Sequence, residues 1–220
     1  MEVNSMRKPI KVSRYTGSEA AVGEVASING SKYVIYVYPE RYPEISIGDI
    51  LLIDSGVYHP IIIVDENIHR ARREQGFTPL HTGHDELKEI YPDADRLYIY
   101  AISGVNVAYA DEKGDVKVGF GPSPRLHDFT YDMEEKDKEK LFLNEEDALD
   151  FTILRYLLHG ARDSILLREF IARNRDVIAG LGDEREVFKA FFTVITEMNL
   201  GDAFLKTAID DFLRVMRWRE

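Results

Sequence analysis

The sequence predicts an α+β protein: a small antiparallel β-barrel over 1–126 followed by an all-α helical domain over 127–220. Three observations carry that reading. Up to about residue 125 the apolar residues alternate with period two and are rich in β-branched and aromatic types, as half-buried strands require. Residues 119–126, GFGPSPRL, crowd two glycines and two prolines into a stretch unfit for the interior of a helix or strand. Beyond it the apolar spacing changes to about 3.6, the helical period.

The strand elements follow in order. VGEVASI at 22–28 runs into Asn29-Gly30 and returns as SKYVIYVY at 31–38. Asn-Gly supplies the positive φ angles of a tight two-residue hairpin, so this is the strongest local signal in the chain. ISIGDILLID at 45–54, a Ser55-Gly56 turn and VYHPIIIVD at 57–65 read as a second hairpin. Pro60 cannot donate to a ladder and marks an edge or a bulge. A third hairpin spans 97–120 through the turn DEKG at 111–114. Several short antiparallel strands must protect their edges, and closing into a barrel does so within about 110 residues.

The stretch 65–95 reads as a helical insertion. Asp65 caps NIHRARREQ with Gly76 as its stop, and Thr82 with Asp85 has capping-box spacing before ELKEIY and Pro92. In the second half, MEEKDKEK at 133–140 is a solvated charge run. Asn144 with Asp147 caps a helix through ALDFTILRYLLH, stopped by Gly160. Residues 164–179 form another. Asp183 and Glu186 cap a third, whose stripe runs through Val187, Phe188, Phe191, Phe192, Ile195 and Met198, and Asp202 opens the last. Four such helices bury their stripes as a small bundle. The stripe at 187–198 is wide enough to leave apolar surface for an oligomer contact.

Composition narrows the function. The 220 residues carry 28 basic and 39 acidic side chains, net −11, which disfavours a general grip on nucleic acid or anionic lipid. No apolar run reaches the roughly 20 residues of a membrane span, and MEVNSMRKPIKVSRY lacks an apolar signal core, so a cytoplasmic protein is expected. Cysteine is absent, which excludes thiol catalysis and thiolate zinc sites. A lone glutamine, Gln75, among abundant ion-pair formers is the composition of a hot-living source.

The chain offers few chemical motifs. The dipeptide Gly-Lys does not occur, so no phosphate-binding loop of that type is present, and the GFG at 119–121 is followed by Pro122, which lacks a backbone donor. His81-x-x-His84-Asp85-Glu86 could hold a divalent metal with His59 or His69, and a metal-dependent hydrolase centred on His81 and His84 is one alternative. The competing reading makes Thr82 and Asp85 a helix cap. Arg70, Arg72 and Arg73 form the densest basic spot, with Arg125, Lys8 and Lys11 elsewhere; Glu66 and Glu74 stand at helical spacing as partners. Tyr33, Tyr36, Tyr38, Tyr98 and Tyr100 could stack bases, which makes a nucleic-acid-binding barrel the other alternative. Alternation places about half of them in the core instead. The adjacent carboxylates Glu145-Glu146-Asp147 and Asp210-Asp211 point apart on a helix and do not converge as an acid/base pair. No catalytic, cofactor or metal residue is assigned.

The order AVGEVASI, a hairpin, ISIGDILLID with Gly48-Asp49, IIIVDENI, an insertion REQGFTPLHTGHDELKEIYPDADRLYIY and the exit GPSPRLHDFTYDMEEKDKEKLF, with Pro122 and Pro124, resembles the HAS-barrel family over about 20–142. That family stands at the N-terminus of HerA-type DNA-translocating ATPases and of ATP synthase subunits, and the insertion is similar to that of archaeal members. The resemblance implies a non-catalytic module that arranges subunits in a ring and docks partners. The motor domain has no counterpart among the 80 or so helical residues that follow, so no active-site residue carries over. The expectation is a stand-alone, non-catalytic assembly or adaptor protein, not an enzyme. It would pair with copies of itself as a homo-oligomer, or with a HerA-like ATPase or other DNA-processing protein, without direct nucleic-acid binding.

Overall fold

The computed structural model describes residues 9–71, 98–159 and 163–217. Seven strands, β1 (Gly23–Asn29), β2 (Lys32–Val37), β3 (Ile50–Ile53), β4 (Tyr58–Ala71), β5 (Tyr98–Asp111), β6 (Val116–Val118) and β7 (Phe129–Asp132), form one antiparallel sheet ordered β2-β1-β7-β3-β4-β5-β6. Pairing of Lys32–Tyr36 with Ala101–Val105 closes six of them into a barrel. One edge of β5 runs along β4, and its other edge is shared by β2 and then, over Ala108–Ala110, by β6. The barrel and the three hairpins stand as the sequence predicts. β3, however, spans only Ile50–Ile53, because Ile45 to Asp49 turn over the barrel's end. Pro60 lies just before the β3 register begins at Ile61 and beside a bulge at Ile61/Ile62, so its missing N–H costs no ladder bond.

Strand faces explain the apolar runs. Val25, Tyr33, Ile35, Leu51, Ile53, Ile62, Val64 and Ile102 fill the lumen. Their neighbours Ile50, Leu52, Ile61 and Ile63 point outward into a second core made with the helices. ILLI and IIIV are therefore apolar throughout because both faces are covered, a pattern more familiar from parallel sheets.

The helical region contains α1 (Glu135–Lys138), α2 (Ile153–Leu157), α3 (Ser164–Arg173), α4 (Arg175–Ala179), α5 (Glu184–Glu197) and α6 (Asp202–Met216). Asp183 caps α5 through its Oδ1, which accepts from the Arg185 and Glu186 amides. Phe151, Phe191 and Phe212 pack together at its centre, the last two stacked 4.0 Å apart.

Several expectations change. The proposed helix from Asp65 is strand up to Ala71, because Glu66–Ala71 pairs with Tyr98–Ser103 and ladder bonds override the capping signal. The remainder of that insertion, with Gly76, Thr82, Asp85 and Pro92, lies outside the described residues. The barrel runs past the expected boundary at 126: β7 follows it and inserts between β1 and β3. The signals at Asn144 and Asp147 build a turn, not a helix start. The Asn144 Oδ1 accepts from Glu146 and Ala148, Asp147 takes φ 59°, and the helix begins at Ile153. The helix expected over 164–179 breaks at Asn174, whose side chain donates to Gly48 and Phe170 carbonyls. Within 133–140, Asp137 is buried and accepts from Tyr15 and Lys140, tying the start of the described chain to α1.

Candidate functional site

Both ends of the barrel are closed by chain. At one end Ile45 enters the lumen core, Tyr42 packs against Tyr100 with ring centres 5.0 Å apart, and the Gly48-Asp49 turn meets the helices. Gly48 has φ +92°, and a Cβ there would lie 2.7 Å from the Glu169 carbonyl oxygen. Arg173 donates from two guanidinium nitrogens to the Asp49 carboxylate, at 2.9 and 3.0 Å. The Gly-Asp pair is thus the bolt between barrel and helices.

At the other end the segment 119–128 is a strap, not a free linker. The Gly119 amide donates to the Val107 carbonyl, and the Gly121 amide donates to the Oδ1 of Asn106 at 2.9 Å. Asn106 is fully buried where β5 passes from β2 to β6. Gly121 is required by close approach, since a Cβ would meet the Tyr109 ring at 2.7 Å. Tyr33 reaches the strap through a hydrogen bond with Ser123; burial raises its phenol pKa and that bond opposes the rise. Asp128 then gathers the crossing: its carboxylate accepts from the Ser55 hydroxyl and the Arg125 amide, both at 2.7 Å. The Val25 amide donates to its carbonyl.

Among the described residues, four of the exposed large apolar side chains belong to this strapped end. Val57 is 56% exposed, Tyr58 42%, Phe120 46% and Leu126 56%. The Ser55–Asp128 bond joins the turn bearing Val57 to the turn bearing Leu126. Tyr58 meets Tyr109 edge-to-face, and Tyr109 lies under Gly121 next to Phe120. Phe120 in turn contacts Tyr156 and His159 of the helical region. Among the described residues only Tyr36, Ile165 and Phe192 are comparably exposed large apolar groups.

Beneath this surface His59 is 5% exposed, its Nδ1 3.4 Å from the Asp54 Oδ1 and without a hydrogen-bond partner among the described residues. Burial lowers its pKa, while Asp54 and Asp111 act the other way. The arrangement keeps the imidazole neutral at neutral pH and packs it under the β3–β4 turn.

Residues singled out by sequence scatter. His81, His84, Arg72, Arg73 and Lys8 lie outside the described residues; His69 and Arg70 fall on β4. No group of three or more His, Asp or Glu side chains converges on a metal-binding point among the described residues. Of the base-stacking tyrosines, Tyr33 is 1% exposed in the lumen and Tyr38 is held by Glu24, its hydroxyl pushed up to about 12 chiefly by burial. Tyr36 stands half exposed. The stripe expected to spare surface on α5 is mostly consumed: Val187, Phe191 and Ile195 are buried, leaving Phe192. Asp211 is buried and pairs with Arg214, while Asp210 is exposed, so that carboxylate pair does diverge. Sequence reasoning missed the strap's contacts and Asn106; a lone amide inside the apolar run ISGVNVAYA was the available signal. Neither the family models nor the curated proteins compared with this chain match it.

Proposed function

We propose that the protein is a non-catalytic assembly or adaptor protein, a relative of the HAS-barrels. It joins copies of itself or docks to a HerA-like ATPase or other DNA-processing partner, and the strapped barrel end is its contact surface. One observation carries the reading: the exposed large apolar groups Val57 and Tyr58 of the β3–β4 turn and Phe120 and Leu126 of the strap stand at one end, where partly buried hydrogen bonds fix the strap. Aromatic and aliphatic anchors on a rigid frame suit protein contact, because little side-chain or loop entropy is lost on binding. We read the cysteine-free, ion-pair-rich composition as that of a hot-living source and a cytoplasmic protein, and the likeness of the insertion to that of archaeal HAS-barrels as pointing to an archaeal one.

The test is molar mass by light scattering from low micromolar to submillimolar protein, with and without Val57→Asp and Leu126→Asp together. The parent chain should form a defined assembly and the double variant a monomer, with unfolding shifted by no more than about 0.5 kcal/mol per exposed site. A parent that stays monomeric throughout and does not co-sediment with the ATPase would end the proposal.

A further inference from the structure

A cleft of about 570 Å³ lies between α5 and the 147–155 segment. Its floor is apolar, made by Leu149, Leu181, Ala190 and Val194. Its rim is acidic: Asp147, Asp150, Glu186 and Glu197 face two cations, Arg155 and Lys189. Arg155 is already neutralised by Glu197, and the Asp150 Oδ1 accepts from the amide and hydroxyl of Thr152. Asp147 and Glu186 make no ion pair among the described residues. Asp147 is held in place by the tight Asn144 turn, and Glu186 by the capped first turn of α5, so both carboxylates sit on fixed backbone.

We propose that this cleft docks a short basic segment of a partner protein, one with alternating apolar and Lys/Arg side chains. The apolar floor takes the aliphatic or thioether side chains, and the Asp147 and Glu186 carboxylates take the cations. Size supports a short motif over a domain surface, since clefts of about 300–1,000 Å³ enclose ligands of a few side chains. Charge supports a basic ligand: the rim carries four carboxylates against two cations on a chain that is itself net −11. Among the described residues Lys189 also makes no ion pair, yet an acidic segment would meet like charge at Asp147, Asp150 and Glu186 and find only that one cation.

The inference is independent of the strapped end and fails separately from it. The probe is a fluorescein-labelled peptide, Lys-Leu-Arg-Met-Leu-Lys-Arg-Leu, titrated with the full chain and read by anisotropy. Saturable, salt-sensitive binding is expected, weakened roughly tenfold or more by Glu186→Lys with Asp147→Asn, on about 1 kcal/mol per exposed charge contact. The peptide with serine in place of leucine and methionine, and the one with glutamate in place of lysine and arginine, should bind at least about tenfold more weakly. The Val57→Asp, Leu126→Asp chain should bind the parent peptide unchanged. Ala190→Trp, which fills the floor and leaves the rim intact, should also abolish binding, with an unfolding curve to verify the fold. Equal binding of the serine peptide, displacement by spermine as readily as by unlabelled peptide, or indifference to the rim substitutions would overturn the proposal.

Discussion

Replacing Gly48 with alanine separates two costs that the structure makes unequal at different glycines. At Gly48 the φ of +92° costs an L-residue roughly 1–2 kcal/mol. The added Cβ would also fall 2.7 Å from the Glu169 oxygen and 2.8 Å from the Phe170 Cα, both backbone atoms of α3 that no rotamer change can move. Overpacking of that kind costs about 1–3 kcal/mol, so the total is about 2–5 kcal/mol. Displacing α3 also disturbs the hydrogen bond from Asn174 to the Gly48 carbonyl at 3.0 Å and the burial of Phe170. Gly56 is the control: its φ is +85°, yet nothing lies within 4 Å of the Cβ position, so Gly56→Ala bears the conformational cost alone. Urea unfolding of the two variants beside the parent gives the steric part by difference. In a chain of this size Gly48→Ala should lower the melting temperature by roughly 5–15 °C. A loss no larger than that of Gly56→Ala would refute the claim that the Gly48-Asp49 turn bolts barrel to helices.

Two further outcomes follow from buried polar groups. Burial holds the His59 imidazole below its ordinary 6.5, so on acidification the unfolded chain takes up that proton before the folded one does. The stability it leaves intact above pH 6.5 is lost as pH falls below that value, until the folded imidazole also protonates. Thermal melts from pH 8 to pH 5 should show a steeper decline for the parent than for His59→Leu, and parallel curves would count against it. Asn106→Leu keeps the branched outline but removes the acceptor for the Gly121 amide and the amide donor shared between the Ile61 and Ala108 carbonyls. It should cost about 2–3 kcal/mol and speed hydrogen exchange at Gly121 and Gly119 more than at lumen positions such as Ile35, whereas uniform exchange would disconnect Asn106 from the strap.

What the sequence makes legible is local. Asn29-Gly30 and the alternation around it encode a hairpin within a dozen residues, and Asp183 declares a helix start with one side chain. Asn144 shows the limit of such codes, because an oxygen two residues from free amides caps a helix or closes a turn equally well. Which it does depends on the Leu143–Leu149 bridge across that turn. The strap is illegible for the same reason. GFGPSPRL announces only that it is neither helix nor strand, and its anchors Asn106, Tyr33 and Ser55 are 15, 90 and 73 residues from their partners Gly121, Ser123 and Asp128. The candidate interface inherits that difficulty: Val57, Phe120 and Leu126 are ordinary apolar loop residues until the fold leaves them exposed among the described residues.

The shared core constrains how an assembly could form. Ile50, Leu52, Ile61 and Ile63 are fully buried against the helices, at about 1.5–3 kcal/mol each, so the wall made by β3 and β4 is committed within the chain. A cut at 126 would bare that wall and remove β7, leaving β1 and β3 with unpaired edges. Barrel and helices accordingly share one core, and the helices act first as the cover of a wall. An assembly built on this barrel must use what the helices leave: the β1–β2 side, where Tyr36 is half exposed, or the strapped end. The strapped end has the stronger claim, because its apolar groups come from two separate segments, the β3–β4 turn and the strap, that the Asn106 and Asp128 hydrogen bonds hold in register, so a partner would meet a surface already ordered.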